Sequence, residues 1–268
     1  YYFQQPSGSV NVSFVDMADC NGMPGATYTA SSSIDAGGNT NWSFTPVQPS
    51  DLYWVGGTGN WTDPMHWSYS SGGAPGACIP TFRDNVFFDN NSFVTNTDTV
   101  TIDTSDAECH DMQWVNIATQ PRFHYDTGFT IFGSLRLDTA IVPISEGSVY
   151  FVSDDPGEYI YWGENPFDSV VFDGDGSWTF YDSLWANEVF WLKKGHVNTN
   201  SQNCRAYNFL SYTNTNRSLT LGATIFDFNR VWRLKSDNFT MNAGTSSLRF
   251  SGPGVFRTEG NNNVDYHE

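Results

Sequence analysis

Seven apolar residues recur along this chain at a mean interval of about 20: Ile131, Val149, Val170, Val189, Phe209, Ile225 and Leu248. Each lies in a short run rich in β-branched and aromatic residues. A second set interleaves at about the same interval: Leu135, Ile160, Trp178, Val197, Leu219, Trp232 and Val255. Gly, Asn, Asp and Pro separate the runs, as strands divided by turns require. No long window carries apolar residues at i, i+3, i+4 and i+7, so helix is not expected. Two or more short strands per turn of this length describe a parallel β-helix. Its inward side chains stack along the axis, so every rung needs an apolar residue at the same place. The expected fold is all-β, a right-handed parallel β-helix from about Thr99 onward, with Ile131, Val149, Val170 and Val189 stacked inward. The competing geometry is an antiparallel sandwich. Asp173-Gly174-Asp175-Gly176 is the one strong turn signal, between SVVF and SWTFY.

A solenoid has open ends and needs caps. The stretch YWVGGTGNWTDPMHW, from Tyr53, suits that task. Trp54, Trp61 and Trp67 are expected to cover the first rung, while Gly56, Gly57 and Gly59 permit tight backbone. The alternative use of the same rings is a platform on which sugars stack. Further on, PTFRDNVFFD predicts a buried strand at Val86, Phe87 and Phe88, flanked by Asp84 and Asp89. Upstream, Thr45–Leu52 contains Pro46, Pro49 and Ser50, a stiff linker composition. The reading is therefore residues 1–46 as the end of a preceding β-solenoid module, 47–52 as linker, and 53–268 as a Trp-rich cap and the start of a truncated next module.

Two blocks resemble repeat modules of giant Bacteroidetes cell-surface adhesins, the gliding-motility adhesins among them. GATYTASSSIDAGGNTNWSF, within Val10–Phe44, looks like the closing rung of such a module. Tyr53–Asp89, continuing to CHDMQW at Cys109–Trp114, looks like an opening. The rung-like region, with IFGSLRL and NRSLTLGAT, is similar mainly in its period. The resemblance implies a very long repetitive filament displayed outside the cell and exported by type 9 secretion. Its partners would be other modules of the same polypeptide, the outer-membrane gliding or secretion machinery, and an extracellular polysaccharide or substratum. It also implies O-glycosylation at Asp-Ser/Thr-aliphatic sequences. These occur at Thr99, Thr139, Ser169 and Ser183, with Thr139 the best candidate and Ser169 and Ser183 expected within strands. The chain ends in mid-pattern at NNNVDYHE, without a closing signature.

Charge narrows the partners. With 12 Lys and Arg against 29 Asp and Glu, the formal net charge is -17. Nucleic acid is disfavoured, since phosphate wants a basic patch, and so is an anionic membrane surface. Of the four cysteines, Cys78 and Cys109 flank the first strands of the opening block. They are a candidate disulfide in an oxidising compartment, or else free thiols. Cys20 and Cys204 read as small core residues. No Cys/His spacing suits zinc.

Enzymes occur on β-helices, so carboxylate pairs need weighing. The best are Asp173 and Asp175, with Asp154 and Asp155 a rung away, and turn chemistry explains them as well. Lys193 and Lys194 are adjacent; His110, His124 and His196 stand without a nucleophile motif. No calcium-loop pattern is present, although an acidic surface leaves room for structural calcium at Asp154-Asp155 or Asp173-Asp175. No catalytic residue, metal ligand or cofactor is expected. The rival function is a secreted polysaccharide-binding or polysaccharide-degrading β-helix.

Overall fold

The structure is a computed structural model, and it describes residues 1–13, 15–45, 48–144 and 146–260. Apart from a three-residue 3-10 turn at Pro64–His66, all regular structure among the described residues is strand. The fold is a parallel β-solenoid of about 12 turns. The chain divides into two compact units, Tyr1–Pro49 and Ser50–Glu268.

The first unit stacks parallel strands at three places. Ser9–Ser13 pairs with Thr27–Ser31, which pairs with Trp42–Thr45; Tyr2–Phe3 pairs with Asn21–Gly22, and Asp16–Met17 with Ile34–Asp35. Its small core holds Met17, Cys20 and Ala30, with Val12, Val15, Trp42 and Phe44 against it. Asn39 ties one corner. Its side-chain oxygen accepts the Cys20 N–H at 2.9 Å, and its amide donates to the Met17 carbonyl at 2.7 Å. Tyr28 sits where only glycine fits opposite, because a Cβ at Gly22 would lie 2.5 Å from its ring.

Among the described residues of the second unit every strand pairing but one is parallel. That rules out the sandwich. One interior ladder runs Phe129, Val149, Val170, Phe190, Phe209, Trp232, and continues in register to Phe256, which is exposed. A second runs Cys109, Ile131, Phe151, Phe172, Leu192. A third runs Leu52, Val86, Met112, Leu135, Ile160, Phe180. Aromatic register partners on successive rungs meet face to face. Trp114 stacks on Phe88 at 3.9 Å and 12°, Phe172 on Phe151 at 5.0 Å and 13°, and Trp232 on Phe209 at 4.2 Å and 27°. Each such side chain contributes about 1.5–3 kcal/mol through burial, and the stacking adds roughly 1 kcal/mol more. A further face begins as the four-stranded sheet Gly59–Asn60, Thr99–Thr101, Arg122–His124 and Val142–Ile144.

Several sequence expectations need correction. Val189 is not an inward rung residue. A register shift between Ala186 and Val189 turns Phe190 inward instead. The same one-residue offset makes Phe226, not Ile225, the buried anchor. Ile131 lies over Phe151, so it belongs to a different ladder from Val149. Phe87 faces outward and stacks on Tyr53 at 4.9 Å, while Val86 and Phe88 are buried. The Asp173–Gly176 segment is not a turn; it lies inside the 15-residue strand Pro166–Phe180. Its glycines let backbone stack on backbone at a corner. A Cβ at Gly174 would meet the Ser153 carbonyl at 2.1 Å, and one at Gly195, on the next rung, would meet the Gly174 carbonyl at 2.3 Å.

The expected linker 47–52 is also too long. Asp51–Trp54 is a strand of the second unit, Leu52 is fully buried there, and the Ser50 N–H donates to Asp84. Pro46, Val47 and the terminal run 261–268 lie outside the described residues.

Candidate functional site

The tryptophan-rich segment closes the starting edge of the second unit. Trp67–Ser68 pairs antiparallel with Tyr53–Trp54, and this exceptional pairing covers the edge of the first rung. Trp54, Trp61 and Trp67 are all buried. Trp67 meets Trp54 edge-on at 5.2 Å and Trp61 edge-on at 4.9 Å. The Trp67 indole N–H donates to the Trp61 carbonyl at 2.9 Å, and that of Trp54 to the Gly57 carbonyl at 2.7 Å. Rings this enclosed offer no face to a sugar, so the cluster is a cap. Asp98 anchors the glycine loop from the next rung. It accepts the Thr58 hydroxyl of that loop at 3.4 Å, and within its own turn the Val94 and Thr95 N–H groups at 2.7 and 2.9 Å and the Thr95 hydroxyl at 2.8 Å. Burial pushes its pKa up, and these hydrogen bonds together outweigh that, holding the carboxyl below its usual range.

The acidic corner contains ion pairs rather than a carboxylate dyad. Asp173 pairs with Lys193 at 3.2 Å, and Asp175 with Lys194 at 2.7 Å. The Asp175 carboxylate holds Lys194 above the usual lysine range. Asp154 accepts the Asp175 N–H at 3.0 Å. Among the described residues no group of three or more His, Cys, Asp or Glu is placed to hold a metal.

The histidines are not isolated. His110 Nδ1 lies 3.1 Å from Asp111, and His124 Nε2 lies 2.9 Å from Asp126. His196 Nδ1 lies 2.6 Å from the Ser218 hydroxyl, beside a recess of about 420 Å³ lined also by Asn216, Asn238 and Thr240. His196 and Ser218 are register partners on adjacent rungs, so the ladder alone brings them together. Among the described residues no hydrogen bond orients the far ring nitrogen, as a nucleophile's base requires.

The structure does not join Cys78 to Cys109; all four cysteines are free. Cys109 is the first residue of an interior ladder, whereas Cys78 lies at the surface with the Tyr69 hydroxyl 3.6 Å away. Desolvation pushes the Cys109 and Cys204 thiols well up, which keeps them protonated. Cys20 and Cys204 are buried, as expected of small core residues. Thr139 is exposed in a turn beside a recess of about 410 Å³, and the preceding Asp138 accepts the Ala140 and Ile117 N–H groups. Ser183 is exposed between two strands rather than inside one.

Sequence reading missed two features. Arg217 is buried and makes five hydrogen bonds, to the Thr215, Ser211, Lys235 and Asp237 carbonyls and the Ser211 hydroxyl. It satisfies the carbonyls of two neighbouring corners at once, and desolvation lowers its pKa. Nothing in a lone arginine among polar residues announces this. The second feature was visible: nine of the 12 lysines and arginines fall between Lys193 and Arg257. The overall charge of -17 conceals it.

These surfaces and rungs define the class, a parallel β-solenoid repeat protein with a tryptophan cap. No family model, curated protein or solved structure matches the chain.

Proposed function

We propose that this chain is a structural and adhesive segment of a very long, repetitive cell-surface adhesin, used in surface attachment and gliding motility. The observation that carries the reading is that two units of stacked parallel strands follow one another in the sequence, the second closed at its start by the buried tryptophan cluster. Solenoid ends need caps, so a capped start after a separate stack of rungs fits two modules that follow one another along the chain. Stacked rungs resist bending, so such modules suit a filament that must transmit force. The reading includes no turnover and no required cofactor, with the acidic corner acting through its lysine pairs. Beads coated with antibody against the second unit, added to living cells of the source organism, test it. Beads that bind and travel along the cell body support it; beads that bind only to broken cells contradict it.

A further inference from the structure

The chain is acidic overall, yet one end of its second unit is basic. Lys193–Arg257 holds nine cations against two carboxylates, Asp227 and Asp237. The other three cations, Arg83, Arg122 and Arg136, are spread among 24 Asp and Glu that precede Lys193, and Glu259, Asp265 and Glu268 follow Arg257 in the sequence. Rungs are about 4.8 Å apart, and the screening length at physiological salt is about 8 Å. Charges two or more rungs away are therefore largely screened, and the basic end acts on its own.

Not all of these cations are free. Lys193, Lys194, Arg233 and Lys235 pair with Asp173, Asp175, Glu259 and Asp237, and Arg217 is buried. Arg205, Arg230, Arg249 and Arg257 are exposed and have no carboxylate within ion-pair distance among the described residues. Arg205 and Arg249 share one face, and Arg230 and Arg257 lie at and beyond the corner that follows it. Arg205 and Arg249 flank Asp227 in register, about two rungs or roughly 10 Å apart. Arg230 lies on the strand Ile225–Lys235 that carries Asp227, and Arg257 is the register partner of Arg233 on that strand. The Arg205 guanidinium lies 5.0 Å from the ring centre of Trp185, which is 45% exposed.

We propose that this arginine surface is a binding site for an acidic polysaccharide. Guanidinium groups take carboxylates through paired hydrogen bonds, and an exposed indole offers an apolar plane to a sugar ring. The sparse spacing of the arginines suits a polymer with about one charge per sugar. A nucleic-acid duplex, with a charge every 1.7 Å or so, would meet too few cations and would be repelled by the acidic remainder. The proposal deepens the adhesin reading by naming the chemistry of its contact surface.

Fluorescence anisotropy with the whole 268-residue protein tests it. The probes are a labelled oligoalginate, a neutral dextran of similar length and a short DNA duplex, at low and high NaCl. The expected result is salt-sensitive binding of the alginate alone. Binding should fall at least about tenfold in R205Q/R249Q/R257Q, since each lost charge contact weakens salt-dependent binding severalfold. R205K/R249K/R257K should retain most of it, and R122Q, an exposed arginine elsewhere, should not change it. Circular dichroism establishes that each variant is folded. Absent alginate binding, equal binding by the glutamine variant, or tighter binding of DNA overturns the proposal. So does a self-association, seen by sedimentation, that the glutamine variant abolishes while alginate binding stays intact; that would make the surface a contact between copies. Failure of any of these kinds leaves the filament reading standing, because bead transport tests that reading separately.

Discussion

The imidazole of His66 lies flat on the indole of Trp54, with 4.8 Å between ring centres and 13° between planes. Its Nδ1 is 2.8 Å from the Val55 carbonyl, a distance at which it donates. The glycines of the VGGTGN segment make room for this ring. A Cβ at Gly59 would fall 2.1 Å from the imidazole, and one at Gly56 would fall 3.3 Å from it. The spacing from Trp54 to His66 thus records a ring seated in a glycine cradle, at the edge the cap must close.

Gly59→Ala should therefore destabilise the second unit by about 1–3 kcal/mol through overpacking. In a His66→Ala background the same change should cost much less, because the obstructing ring is gone. Urea unfolding of the four proteins gives the coupling. Additive effects would show that Gly59 does not serve to admit His66.

Asp98 gives a pH signature. Its folded-state pKa is lowered, so ionised Asp98 contributes stability above the unfolded carboxyl value, about 3.9, and that contribution is lost as pH falls through the lower folded value. Asp98→Asn should cost about 1–3 kcal/mol at neutral pH through weakened hydrogen bonds. The gap from wild type should narrow as pH drops below about 4. A gap that stays constant down to acid pH would mean the carboxylate charge adds nothing.

Thiol accessibility separates the free-cysteine arrangement from a bridge. One thiol per chain, Cys78, should react rapidly with an aromatic disulfide reagent in the native protein, and Cys109 and Cys204 only on unfolding. Under non-reducing denaturation all four should be available. Two available thiols after denaturation would point to a disulfide the structure lacks.

The register shift near Val189 gives a paired test. Phe190→Ala removes a fully buried ring and should cost about 3–5 kcal/mol. Val189→Ser, on the half-exposed side, should cost under about 1 kcal/mol. Reversed costs would restore Val189 to the interior.

How much of this was legible in the sequence follows from what periodicity encodes. Val149 and Val170 are register partners, and the 20-residue recurrence found them because interior ladders demand an apolar residue on every rung. Periodicity does not mark where a strand gains a residue at a corner. EVFWL offers both Val189 and Phe190, and only the register shift chooses between them. The Asp-Gly-Asp-Gly segment misled for a related reason. Glycine signals a turn in isolation, but here it relieves the stacking of one rung on the next, which is not local in sequence. Burial of Trp54, Trp61 and Trp67 was legible, since turn glycines beside large rings suit a cap. The antiparallel strand Trp67–Ser68 that completes it was not, because two residues carry no pattern. The ion pairs of Lys193 and Lys194 likewise depend on which residues of the previous rung lie opposite.

The size of the native polypeptide tests the central claim most directly. The 268 residues account for 30.0 kDa. Antibody against Tyr53–Asp89 should detect, in material sheared from the surface of intact cells, a polypeptide many times that mass. Mass spectrometry of that band should return several copies of segments like YWVGGTGNW. A species near 30.0 kDa, or one found only after lysis, would contradict the claim that this chain is a segment of a surface filament.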